Sequence, residues 1–156
     1  MESDFIAGLH PNIVHFPITL LSTYAVLEIT AVILNNEFIS KSALLLLCLG
    51  VISALFAVFS GNQAFAAYRH WNEQSENLLN EHQSYATILL WFSVLVCALR
   101  IFFAIKKKIT GFIKFVFILF AIIILYLVYE TGERGGNLVS KFGVGTELIF
   151  QEKVKP

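Results

Sequence analysis

Residues 43–68, "ALLLLCLGVISALFAVFSGNQAFAAY", run for 26 positions without one charged side chain. A helix needs about 20 mainly apolar residues to cross the hydrocarbon core of a bilayer. Three more blocks of this kind follow from the same reading: "IVHFPITLLSTYAVLEITAVIL" at 13–34, "YATILLWFSVLVCALRIFFAI" at 85–105 and "FIKFVFILFAIIILYLVY" at 112–129. Only helices and closed barrels satisfy their backbone groups in lipid, and these runs lack the polar–apolar alternation of barrel strands. The 156 residues are 57% hydrophobic and 14% charged, with a mean hydropathy of +0.74. Soluble domains are about a quarter charged, and a soluble chain this short could not bury so much Leu, Ile and Phe. The sequence therefore predicts an all-α, four-helix transmembrane bundle. It forms a single integral membrane domain over 1–156, with helices about 13–34, 43–70, 82–105 and 111–131 and a glycine-rich C-terminal tail, 132–156. The lipid bilayer is its first partner.

Charge sets the expected orientation. The stretch joining the third and fourth helices holds Arg100, Lys106, Lys107, Lys108 and Lys114, and the one joining the first two holds Lys41. The remaining short segments carry Glu2, Asp4, Glu73, Glu76 and Glu81 against Arg69 alone. Lysine-rich short loops stay cytoplasmic, which places both termini and the second loop on the extracytoplasmic side of the inner (cytoplasmic) membrane. The acidic start and the lack of a small-residue cleavage site argue against a cleaved signal peptide. Cys48 and Cys97 fall in separate membrane blocks and read as small core residues rather than a disulfide framework. The lysine cluster is short and explained by topology, so nucleic acid is not an expected partner.

In this topology all four histidines come to one side. The octet "HPNIVHFP" at 10–17 places His10 and His15 at the outer start of the first helix. His70 falls at the outer end of the second helix and His82 at the outer start of the third. Pro11 suits a first helical turn and turns His10 away from helical angles, so His10 is expected in the N-cap region. Five positions separate His10 from His15, so on a regular helix their directions differ by roughly 140°. Stripes at helical spacing extend from each: His15, Thr19 and Ser22; Ser60, Gln63, Ala67 and His70; His82, Ala86, Leu89 and Ser93. Gly61 and Ala64 are small enough for close helix contact. Tyr68 and Trp71, flanking Arg69 and His70, fit an aromatic belt at headgroup level. The alternative is that polar residues gather at an interface with no common role.

Glu28 is the one carboxylate within the first helix. An ionisable group at that depth is a functional hypothesis by default; a hydrogen-bonded structural group and a proton-relay member both fit. After the fourth helix, Glu130 and Glu133 precede "GERGGNLVSKFGVG", 132–145. Its glycines allow positive φ and close backbone approach, either as a segment capping the histidine site or as an exit into a solvated tail.

These motifs resemble the prokaryotic membrane family called domain of unknown function 2231. Members open with H-P-x-x-V-H-F-P-I/L, here His10 to Ile18, and carry four membrane helices. They close with a G-x-x-G-G-x-L-V-Y-x-H-G-V-G-V-like segment, here Gly132 to Gly145. His82 matches a family histidine that opens the third helix. The closing motif departs from the pattern, with Ser140 and Phe142 where the family often has Tyr and His. Fusion of some relatives to iron–sulfur or cytochrome modules implies electron transfer at the outer face.

Neutral imidazole ligates haem iron, copper and zinc. The expected ligands are His10, His15, His70 and His82. For a b-type haem, Gly135 and Gly136 would give close approach and Arg69 and Arg134 would meet the propionates. The absence of C-x-x-C-H excludes covalent c-type haem. The same histidines could instead hold one copper or zinc ion. Another expectation is a non-catalytic membrane subunit whose outer face docks a periplasmic partner. No nucleophile elbow, P-loop, dinucleotide fingerprint or HExxH is present, so the chain is not expected to be an enzyme on its own. A periplasmic or membrane redox partner is expected, and an oligomer stays open.

Overall fold

The computed structural model describes residues 2–67, 71–106 and 111–144. Five helical elements follow in order: α1 (Glu2–Ile13), α2 (His15–Leu34), α3 (Glu37–Ala67), α4 (Glu73–Ile105) and α5 (Phe112–Phe142). They make four spans long and apolar enough to cross a membrane, because Gly8–Leu34 counts as one segment, interrupted at Val14. Pro17 accounts for the interruption: it has no N–H to give the Ile13 carbonyl. On either side, Val14 N–H still reaches the His10 carbonyl at 3.1 Å, and Ile18 N–H reaches that of Val14 at 3.4 Å. Helix therefore continues N-terminal to Pro11, and His10 lies in the last turn of α1 rather than at an N-cap.

Every helix extends further than the apolar blocks suggest, and local capping explains it. Asn35 takes a left-handed φ of 48° to end α2, a conformation Asn tolerates better than most residues. Asn36 then accepts from Ile39 N–H at 3.1 Å and starts α3 six residues before the expected position. Asn72 and Ser75 form a reciprocal capping box, at 2.8 Å and 3.0 Å, so α4 begins at Glu73 rather than near 82. At the far end α5 runs straight through Gly132, Gly135 and Gly136. It stops at Gly143, φ +64°, whose N–H returns to the Val139 carbonyl at 2.9 Å. The first half of the glycine-rich segment is thus helix and not tail; residues 145–156 lie outside the described part.

The helices pack in a closed ring: α2 on α3, α3 on α4, α4 on α5 and α5 on α2, with α1 laid against α3. Leu21, Tyr24, Leu47, Val96, Phe117 and Ile124 meet in the centre. Between 28% and 33% of each span's positions are buried inside the bundle, so most of each apolar surface faces outward. Phe56, Trp91, Phe115 and Ile122 are more than half exposed, a pattern that water would penalise and lipid accepts.

The buried face of α2 is Pro17, Leu21, Tyr24, Ala25, Glu28 and Ala31. The His15–Thr19 edge expected to face the interior is instead exposed. His82 and Arg100 lie eighteen residues apart on α4, about 27 Å along the axis, close to one hydrocarbon thickness. The histidine end and the Arg100 end are therefore opposite boundaries of the apolar layer.

Candidate functional site

At the histidine end, two imidazoles are held by neighbouring helices in the same manner. His10, on α1, places Nδ1 2.9 Å from Ser60 Oγ on α3. That hydroxyl donates its proton to the Ala57 carbonyl at 3.0 Å, which leaves Oγ to accept from His10 Nδ1–H. His82, on α4, places Nδ1 3.0 Å from the Thr131 carbonyl on α5. A carbonyl can only accept, so Nδ1 again carries the proton. Both rings are therefore the Nδ1–H tautomer, with the Nε2 lone pair uncommitted by these bonds. Fixing Nδ1–H on a backbone or side-chain oxygen is how proteins orient ligating histidines.

Glycines make room for both rings. A Cβ on Gly61 would stand 3.0 Å from His10 Cε1, and one on Gly135 would stand 3.1 Å from His82 Cε1. Gly61, expected to bring two helices together, instead seats an imidazole. Both rings are half-buried. Two imidazoles from separate helices thus each keep an Nε2 free of these bonds beside a glycine.

The remaining expected residues fall in different places. His15 is exposed. His70 and Arg69 lie outside the described residues. Among the described residues, no group of three or more His, Cys, Asp or Glu side chains is arranged to hold a metal ion. Gly136 is exposed and a Cβ there would meet nothing within 4 Å. Arg134 joins two helices: Nε donates to Glu81 at 3.0 Å, Nη1 donates to the carboxylate and the carbonyl of Glu130, and the guanidinium stacks 4.0 Å from the Tyr85 ring centre. It ties α4 to α5 within one turn of the Thr131 carbonyl that holds His82.

At the opposite end, Glu28 is 1% exposed and pairs with Arg100, 2% exposed. Arg100, counted with the basic stretch in the charge reading, lies inside α4, as the expected helix 82–105 implies. Its Nη2 also donates to Ser40 Oγ at 2.6 Å, and its guanidinium lies 5.3 Å from the Phe117 ring centre. Glu28 is therefore hydrogen-bonded within the bundle. Glu28 and Arg100 stand six and five residues before the C-terminal ends of their helices.

Four apolar spans in a closed ring with a polar, histidine-bearing end define a multi-pass helical membrane protein. The chain belongs to the family described as predicted membrane protein (DUF2231), whose model matches residues 7–148. No curated protein and no solved structure matches the chain significantly.

Proposed function

We propose that the protein is an electron-transfer subunit that holds one b-type haem between His10 Nε2 and His82 Nε2. The observation that carries this is the shared tautomer, in which Ser60 Oγ and the Thr131 carbonyl occupy each Nδ1–H and leave each Nε2 basic. Two protein ligands suffice for haem, whereas a bare zinc site uses three or four. When bound, haem iron supplies one-electron transfer. The chain's own part is to orient both rings, seat them against Gly61 and Gly135, and exclude water with the surrounding apolar helices.

Lysines at the Arg100 end argue that this end is cytoplasmic. Both termini and the histidines then face the extracytoplasmic side of the inner membrane, within reach of a periplasmic or membrane redox partner. The exposed His15 would stand on that same surface, facing such a partner or a second copy.

The test is an absorption spectrum of the detergent-purified protein, made with haem available. A Soret band at one haem per chain, lost in His10→Ala and in His82→Ala, is the expected result. Stoichiometric copper or zinc without a Soret band would replace the haem with a bare ion. Neither would leave a docking subunit in which the histidines merely bind helices together.

A further inference from the structure

Inside the bundle, Cys97 on α4, one turn before Arg100, and Cys48 on α3 bring their Sγ atoms to 3.5 Å. Both are free thiols; Cys97 is buried and Cys48 half-buried. A disulfide has its sulfurs about 2.05 Å apart, so the remaining approach is about 1.5 Å, within the reach of side-chain rotation and a small helix shift. We propose that Cys48 and Cys97 are an oxidisable pair that closes to a disulfide across α3 and α4.

The surroundings select the oxidant. The pair is enclosed by apolar helices whose outer solvent is lipid, so a lipid-soluble quinone can reach it while charged glutathione cannot. Two S–H bonds break and one S–S bond forms. The two electrons and two protons pass to the quinone oxygens, giving the quinol. The bond would tie the helix that seats His10, through Ser60 and Gly61, to the helix that carries His82, whatever those histidines bind.

The reduced full-length protein, in lipid nanodiscs, is treated with duroquinone, whose ring is fully methylated and so resists thiol addition. It is then denatured in SDS with N-ethylmaleimide and weighed intact. The expected product carries no maleimide and is lighter by about 2 Da, two hydrogens, and dithiothreitol restores two reactive thiols. Cys48→Ser should keep its one remaining thiol reactive through the same treatment. Two maleimides on the quinone-treated protein would overturn the proposal. So would a loss of thiol that persists in Cys48→Ser, which would mean oxidation or addition at a single sulfur.

Discussion

Arg100 Nε lies 3.1 Å from Glu28 Oε1 and 3.3 Å from Oε2, sealed in the bundle between α2 and α4. A charge at this depth is tolerated because its partner is there, and loss of one partner strands the other in a medium that cannot solvate it. Arg100→Leu alone should cost about 3–5 kcal/mol. The double change Glu28→Met with Arg100→Leu should recover much of that loss, because well-packed apolar replacements of buried pairs are often neutral. Unfolding of the three proteins in SDS–detergent mixtures checks it. A double variant no better than the single would show that Glu28 has support beyond Arg100.

That pair also marks what the sequence could and could not convey. The four spans were legible because hydropathy depends on composition and length, which need no tertiary information. The pairing of Glu28 with Arg100 was not: the expected helix 82–105 already contained Arg100, but hydropathy does not say which faces of two helices meet. Helix ends were misjudged for a related reason. Asn36, Asn72 and Gly143 set them through individual hydrogen bonds and backbone angles, and polar turns beyond the lipid carry no hydropathy signal. The placing of His10 and His82 at one end followed from topology alone. Which ring is buried did not: the five-residue spacing already sets His10 and His15 apart, and the packing of α1 on α3 makes His10 the inward one.

Ser60 offers a direct test of how His10 is held. Ser60→Ala removes the acceptor of Nδ1–H, and a polar group left without a partner in a half-buried position costs about 1–3 kcal/mol. The variant should melt at a lower temperature, and freed rotation of the ring should weaken whatever Nε2 binds. Ser60→Thr keeps the hydroxyl and should behave more nearly like the parent. A Ser60→Ala protein with an unchanged melt would mean that the ring finds another acceptor.

The Arg134 clamp should divide into a weak half and a strong half. Glu81 is 60% exposed whereas Glu130 is 17% exposed. Glu81→Gln should therefore cost less than about 1 kcal/mol, with the difference shrinking in added salt. Arg134→Ala should cost more, since it also removes the stacked guanidinium from Tyr85 and leaves Glu130 unpaired in a partly dry setting. Equal losses from the two variants, measured by thermal unfolding at low and high salt, would place the main contribution on the Glu81 side instead.

Adjacent glycines on α5 give the sharpest contrast. A methyl at Gly135 would press on His82 Cε1 from 3.1 Å, while a methyl at Gly136 would project into open space. The imidazole is the movable partner, so Gly135→Ala should leave the fold intact but displace the ring and weaken its bond to the Thr131 carbonyl. Gly136→Ala should gain slightly in stability, since Ala is the better helix former by about 1 kcal/mol. Haem retention on dilution, read from the Soret band, should fall in the first variant and hold in the second, while circular dichroism reports the same helix content in both. If both variants kept haem equally well, His82 would not be an axial ligand, and its bond to α5 would be a helix-to-helix tether alone.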